Sequence, residues 1–131
     1  MKILSNLIDL LGIQTVSLSK TKVIISLQVT DSAKQPYGIV HGGINSVLAE
    51  TAASIGANQL VDNDHYAVGV NISTQHLMPV SSGKLVATAT PLHGGNRIQT
   101  WQVEIASTNI LTSTSVVTLT SLEKKSLDNV L

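Results

Sequence analysis

The stretch INSVLAETAASIGANQLV, residues 44–61, decides the fold of this chain. It has the length of a helix and contains no proline. Its apolar residues, among them Val47, Leu48, Ala52 and Ile55, surround the helix axis instead of forming one stripe. Helices that are apolar almost all round are normally buried. The stretch therefore predicts one long helix at the centre of the molecule.

Patterns typical of strands flank this helix on both sides. Apolar and polar residues alternate near residues 16–29, and four further runs follow the helix, at residues 68–72, 85–92, 99–105 and 111–122. We expect one α+β domain over residues 1–131, in which a curved antiparallel sheet wraps around the central helix. The consecutive strands favour a meander. A short amphipathic helix is expected over residues 3–11, ending at Gly12, and a loose tail is expected from Glu123.

Composition excludes several functional classes. The chain has no cysteine, so disulfides, a cysteine nucleophile and thiolate metal sites are ruled out. Eight basic residues balance eight acidic ones, which gives no basic surface for nucleic acid. No apolar run is long enough for a membrane span, so we expect a cytoplasmic protein without a membrane partner. Only 12% of residues are charged, which predicts that part of the surface is buried in an oligomer. The four histidines lack the spacing of metal ligands, and no cofactor is expected.

Glu50 is the formally charged residue that stands out in the central helix. It is the only one between Lys34 and Asp62. A buried carboxylate costs several kcal/mol unless it is hydrogen-bonded, neutral or serving a cavity. The alternative is an ordinary glutamate that faces solvent. Ser54 lies one helical turn later, where its hydroxyl could hold a water molecule near the carboxylate.

His41-Gly42-Gly43 precedes the helix. Free N–H groups at a helix start can polarise an oxygen that develops negative charge, although the two glycines could equally form a hinge and His41 a cap. Gly42 and Glu50 are eight residues apart, or about 12 Å along a helix at roughly 1.5 Å per residue. One substrate carbonyl cannot touch both within one chain. If they serve one reaction, they come from two protomers, and a homodimer is the minimum active unit.

The segment Gly94-Gly95-Asn96-Arg97 reads as a tight hairpin turn with a cation at its exit. As a structural element it is only a turn. As a functional element, Arg97 could contact a phosphate group of an extended ligand.

The sequence resembles the hotdog-fold acyl-CoA thioesterases, within them the phenylacetate-type group and the 1,4-dihydroxy-2-naphthoyl-CoA hydrolases. The resemblance covers roughly residues 5–122. It rests on residues 34–43, KQPYGIVHGG, followed by Leu48-Ala49-Glu50-Thr51. Further matches are Val68-Gly69 with His76, the segment Pro91-Leu92-His93-Gly94 with Arg97, and residues 101–105, WQVEI.

The resemblance implies a function and a set of site residues. The expected reaction is hydrolysis of an acyl-CoA substrate, in dimers that pair into a homotetramer. Glu50 would act as general base or nucleophile, the Gly42 amide would bind the thioester oxygen, and Ser54 would orient the water. The remaining implied residues bind the substrate: His41 and Gln35 at the thioester oxygen and acyl group, His76 at the acyl pocket, and the turn with Gly95 and Arg97 at the CoA nucleotide.

Two features leave alternatives open. The chain has no phenylalanine, and its aromatic residues are Tyr37, Tyr66 and Trp101, so the acyl group is not fixed. A non-catalytic acyl-CoA-binding module would keep the pocket without the acid, and a hotdog hydratase or dehydratase would need a His–Asp pair that we do not find. The retained Glu50 and Ser54 favour hydrolysis.

Overall fold

The computed structural model of the chain describes residues 6–128. Six strands form one antiparallel sheet, and the longest helix packs against it. In chain order the elements are α1 (Leu7–Leu11), β1 (Gln14–Leu18), β2 (Val23–Gln28), a 3-10 turn (Asp31–Ala33), α2 (Gly42–Asn58), β3 (His65–His76), β4 (Lys84–Gly94), β5 (Ile98–Ser107), β6 (Ile110–Glu123) and α3 (Lys124–Asp128).

The sheet has the order β1-β2-β4-β5-β6-β3. The predicted antiparallel sheet around a central helix is therefore confirmed, but the expected meander is wrong for β3. Of the four strands after α2, β4, β5 and β6 are neighbours in chain order, and β3 is not next to β4. The strand after the helix pairs with β6, the last strand, and leaves its other edge without a partner strand in the described part of the chain.

Helix α2 is held by its small apolar residues. Ala49, Ala52, Ala53 and Ala57 are fully buried, and the helix contacts five of the six strands. Alanine keeps the helix close to the sheet at no loss of helix propensity. At Gly56 the helix lies so close to the sheet that even a Cβ would overlap the buried indole ring of Trp101.

One stripe of α2 faces the edge strand β3. The helix runs antiparallel to the strand, and its residues at four-residue intervals meet successive inward positions of β3. The backbone N–H of Ala67 donates to the Asn58 side chain (2.9 Å), and the Ser46 and Thr74 hydroxyls are 3.1 Å apart. The strand bulges between Gly69 and Asn71, where the register with β6 shifts by one residue. This bulge allows both Ala67 and Thr74 to face the helix.

The prediction from the sequence agrees with the structure near the start of the chain and differs from it near the end. Gly12 ends α1 in the left-handed conformation (φ 70°), as expected for a helix stop, while residues 3–5 of the predicted helix lie outside the described part. The tail was expected to be loose, but residues 124–128 form the short helix α3. Among the described residues, none of the helices has both the length and the apolar character that crossing a membrane requires.

Candidate active site

Glu50 lies in the middle of α2 and is half-buried. Its carboxylate rests against Gly69 on β3, where a Cβ would overlap Oε2 and lie 2.9 Å from Cδ. The carboxylate lines a groove of about 610 Å³ between α2, β3 and α1. Glu50 is thus neither a freely solvated glutamate nor sealed in the core. It faces a space that a ligand can enter.

The walls of this groove combine one hydroxyl with aliphatic side chains. Ser54 lies one helical turn after Glu50 and lines the same groove, as predicted from the spacing. Ile8 of α1, Ile55 of α2 and Val68 of β3 supply the apolar surface. We call this space the Glu50 groove. It offers a carboxylate, a hydroxyl for a water molecule and an aliphatic surface for a substrate.

The start of α2 carries an available backbone donor. His41 is the N-cap, and its Nδ1 accepts a hydrogen bond from the Gly43 N–H at 2.8 Å. The Ile44 N–H donates to the His41 carbonyl at 2.9 Å. Within residues 6–128 these contacts leave the Gly42 N–H without an acceptor. A first-turn amide in this state can bind an oxygen atom from outside.

His76, at the end of β3, packs directly on Gly42. A Cβ on Gly42 would lie 3.0 Å from both Cε1 and Nε2 of the His76 ring. The Nδ1 atom of the ring is 3.1 Å from Nδ2 of Asn45, one turn into α2. The structure therefore brings His41, Gly42 and His76 together, and we call these residues the amide end of the site.

Gln35 lies in the loop that leads to the amide end. Its N–H donates to the Ile39 carbonyl (2.9 Å), and Lys34 pairs with Val40 just before His41. Its side chain lines a separate cavity of about 420 Å³ and takes no part in the Glu50 groove. The family resemblance implied that Gln35 acts at the thioester oxygen and acyl group, and the chain's own Glu50 is not its neighbour in the Glu50 groove.

The turn with Gly95 and Arg97 is fastened to β6. The Thr120 hydroxyl donates to the Arg97 carbonyl at 2.8 Å, and a Cβ on Gly95 would come within 2.8 Å of the His93 ring. The Arg97 side chain is exposed and forms no salt bridge within the described ranges. The turn thus presents a cation to solvent just before the start of β5.

Two residues of the site lacked a decisive signal in the sequence. In the sequence, Gly69 stood out only as part of a matched motif. Glycine is required at this position because the Glu50 carboxylate packs against it, and the sequence does not show that contact. Asn45 lies 31 residues from His76, and no local pattern predicts that contact. By contrast, the four-residue spacing of Glu50 and Ser54 predicted that both lie on one helix face.

Asp62 and His65 have shifted pKa values and lie outside both the Glu50 groove and the amide end. Asp62 and His65 form a 2.6 Å contact in the exposed connection from α2 to β3. The hydrogen bond from His65 lowers the pKa of Asp62, and the same bond raises the pKa of His65. Because this pair is exposed and lies beyond the end of α2, we assign it a local role in the turn.

Comparison with known proteins shows the family to which the chain belongs. The model of the thioesterase superfamily matches residues 37–113, a range that includes Glu50, Gly42, His76 and Arg97. The chain belongs to the thioesterase superfamily.

Individual relatives agree with this assignment. The 1,4-dihydroxy-2-naphthoyl-CoA hydrolase of Listeria monocytogenes is 40% identical over 97 residues, which cover 74% of this chain and 79% of the relative. The Escherichia coli protein of the same name is 31% identical over 100 residues, covering 76% and 74%. The crystal structure of a thioesterase from Haemophilus influenzae superposes with a TM-score of 0.84 at 34% identity, covering 88% of this chain and 82% of that one.

These matches confirm two expectations from the sequence. The fold is the hotdog fold, with the antiparallel sheet wrapped around α2. The chain is a thioester hydrolase, and its superfamily chemistry is the hydrolysis of CoA thioesters.

Proposed function

We propose that this chain hydrolyses an acyl-CoA thioester to the free acid and CoA, with Glu50 as its catalytic carboxylate. The observation that carries the proposal is the half-buried Glu50 in a groove that it shares with Ser54. As a general base Glu50 takes a proton from the attacking water. As a nucleophile it forms an anhydride that water then cleaves. In both routes one water is consumed and the thiol of CoA is released.

The thioester oxygen needs a donor that the Glu50 groove does not supply. The amide end has such a donor in the Gly42 N–H, but it lies about 12 Å from Glu50 along α2. Glu50 rests on Gly69, while Gly42 rests on His76, seven positions further along β3. Each chain therefore carries two halves of a site at opposite parts of the same edge strand. We infer that a second copy brings the complementary halves together.

The free edge of β3 is suited to pairing with itself. It is 12 residues long and contains neither proline nor a Lys, Arg, Asp or Glu residue. Natural edge strands that must stay single are usually protected by charges or proline. Antiparallel pairing of two β3 strands about a two-fold axis would bury this edge and extend the sheet from six strands to twelve.

The proposed register is the one that places Gly69 beside the partner's His76, and the bulge at Val70 makes this possible. If the two-fold axis passes through Ser73, Ile72 opposes the partner's Thr74, and Gly69 opposes the partner's His76. All of these residues face the helix side, because the bulge shifts the alternation by one. Paired strands lie about 4.8 Å apart. Glu50 of one chain would then reach the carbonyl that is held by the partner's Gly42.

The other predicted residues take their roles from this arrangement. His41 lies at the amide end and Gln35 in the loop that leads to it, so both would act on the substrate bound over the partner's Glu50. Arg97 and the close-packed Gly95 would receive a phosphate of CoA. On the sheet, Ile98 pairs with Thr120 and Thr120 pairs with Val68, a wall of the Glu50 groove. Two strand spacings, about 10 Å, therefore separate this turn from the groove.

We also propose that two such dimers form a homotetramer in the cytoplasm. The outer face of the sheet supports this assembly. It holds a shallow groove of about 780 Å³ between β4 and β5, lined mostly by uncharged residues such as Val86, Thr88 and Ala106. Sedimentation velocity should give four times the 13.8 kDa chain mass. A stable and active monomer would overturn the shared site as well.

The aliphatic groove walls suit an acyl group of moderate size, and the acyl range must be measured. Because the chain has no cysteine, a thiol-reactive dye reports only the released CoA. The panel includes 1,4-dihydroxy-2-naphthoyl-CoA, benzoyl-CoA and medium-chain aliphatic acyl-CoAs. Release of CoA from none of them would refute the proposal and favour a binding module.

Glu50→Gln tests the catalytic role. General-base assistance contributes about a hundredfold to ten-thousandfold, so kcat should fall by at least that range while substrate still binds. The matched control is Glu123→Gln, an exposed carboxamide substitution at the end of β6, which should keep wild-type kcat. The melting temperature of Glu50→Gln should not decrease, because a half-buried charge is removed. Turnover within tenfold of wild type would exclude Glu50 as the catalytic carboxylate.

Ser73→Cys tests the shared site. In the proposed register the two Ser73 residues face each other across the two-fold axis, at a Cα separation that suits a disulfide. Oxidation should therefore link the variant into a covalent dimer that remains active. Gln75→Cys is the control, because its two copies would lie about 13 Å apart along the strands and should not link. Linking through Gln75 and not through Ser73 would show another register.

A further inference from the structure

Asn45 is a polar side chain enclosed between the first turn of α2 and the end of β3. Only 8% of its surface is exposed. Its Nδ2 lies 3.1 Å from Nδ1 of His76. An amide buried without a partner would cost free energy, so this contact accounts for its place in the fold. It also constrains the imidazole, because the amide nitrogen of asparagine donates and does not accept.

The constraint decides where the ring carries its proton. When Nδ1 accepts a hydrogen bond, the neutral imidazole is protonated at Nε2. That nitrogen lies on the Gly42 side of the ring, 3.0 Å from the position of a Gly42 Cβ. The Nε2–H therefore lies close to Gly42, whose own N–H has no acceptor within residues 6–128.

We propose that Asn45 is a positioning residue that holds His76 as the Nε2–H tautomer, so that His76 and the Gly42 amide together bind the thioester oxygen. The inference rests on the proposed function and extends it to a residue that does not touch the substrate. When water attacks the carbonyl carbon, the π electrons move onto this oxygen. Two fixed donors stabilise that charge without reorganisation.

Asn45→Asp is the sharpest perturbation, because it keeps the size of the side chain and reverses its hydrogen bonding. A carboxylate accepts from Nδ1–H, so the ring proton moves to Nδ1 and Nε2 loses its hydrogen. Loss of one oxyanion donor typically costs about 10²–10³ in kcat. We expect a fall of that size at a pH where the imidazole carries a single proton. The KM should change little, since the contacts to the CoA nucleotide are untouched.

Ring-nitrogen NMR gives a readout that a purely structural role would not move. Long-range proton–nitrogen spectra should show Nε2 protonated in wild type and Nδ1 protonated in Asn45→Asp. Asn45→Ala leaves the ring free to rotate, and loss of about one hydrogen bond predicts a threefold to tenfold fall in kcat. Ser46→Ala, on the same turn but bonded to Thr74, is the control and should leave the His76 spectrum unchanged.

The results separate this inference from the proposed function. Wild-type protein that releases no CoA from any panel substrate overturns both. An active wild type in which Nδ1 of His76 is protonated overturns the role of Asn45 alone. That role is likewise overturned if Asn45→Asp moves the proton and kcat stays within threefold of wild type. If Asn45→Asp does not fold, the wild-type spectrum and the Asn45→Ala kinetics still decide the question.

Discussion

Gly69→Ala adds one methyl group at the point where β3 passes the Glu50 carboxylate, the proposed catalytic group. The built Cβ overlaps Oε2 of Glu50 and lies 2.9 Å from Cδ and 3.4 Å from Cγ. Gly69 does not have a positive φ angle, so alanine meets no backbone strain there. Gly69 is also exposed on the groove side, so the methyl group does not overfill the core. The only structural change required is a displacement of the Glu50 carboxylate.

The size of that displacement sets the expected effect on activity. Uncrowded carbon–oxygen contacts are about 3.5 Å or longer, so the carboxylate must move by at least about 1 Å. A misplacement of about 1 Å can cost a hundredfold in rate. We therefore expect kcat to fall about a hundredfold. The melting temperature should hold or rise, because glycine weakens the interior of a strand relative to alanine.

A double-mutant cycle with Glu50→Asp tests the cause. Aspartate is one methylene shorter, so its carboxyl carbon takes the place of Glu50 Cγ, 3.4 Å from the added methyl group, and the severe overlap is relieved. The Glu50→Asp single variant and the double variant that also carries Gly69→Ala are both assayed by CoA release. The effect of Gly69→Ala should shrink from about a hundredfold to below threefold, a non-additivity expected only for residues in contact. Equal effects in both backgrounds, or a hundredfold loss that accompanies unfolding, would refute the reasoning.

Three further predictions concern binding, packing and titration. Arg97→Ala should raise KM for acyl-CoA several-fold with kcat little changed, and the increase should vanish with a thioester that lacks the nucleotide; a loss confined to kcat would contradict a phosphate contact. Gly56→Ala should lower the melting temperature, because its methyl group would overlap the buried indole of Trp101 and overpacking costs about 1–3 kcal/mol. An unchanged melting temperature together with unchanged Trp101 fluorescence would show that the core accommodates the added methyl group. Asp62→Asn should lower the pKa of His65 measured by NMR, because the hydrogen bond that raises it is lost. In wild type this pair should stabilise the fold below the ordinary histidine pKa and lose that contribution as pH rises through the raised value.

The elements of the fold were predictable because their signals are local. The apolar surface of α2 and the alternation of the strands depend on neighbours within a few residues. The position of β3 was not predictable in the same way. Its pairing with β6 joins Gly69 to Leu119, 50 positions away in the chain, and the alternating pattern is the same for any partner strand. Sequence order favoured a meander, but β3 pairs with β6 at the edge of the sheet.

The residues of the candidate site also divide into those with a local signal in the sequence and those that depend on tertiary packing. Glu50 could be singled out because a charge in an apolar helix conflicts with its surroundings, and such conflicts often mark functional sites. Ser54 followed from the helical spacing. The match of Gly69 to the carboxylate and of Asn45 to His76 could not be predicted, because each depends on how α2 sits on β3. These contacts exist only once two elements distant in sequence have packed.

The geometry of α2 on β3 links the fold to the shared site. A helix that lies along an edge strand places its first turn and its middle over different residues of that strand, here His76 and Gly69. One chain therefore cannot close the site by bending, since both elements are rigid. In the proposed dimer, a two-fold axis through the strand would exchange the two positions, and the bulge at Val70 would keep both on the helix side. A slip of two residues in the register would separate the halves by about 6.6 Å, beyond the reach of a hydrogen bond. Activity should therefore depend on the register of the paired edges as well as on the presence of the dimer.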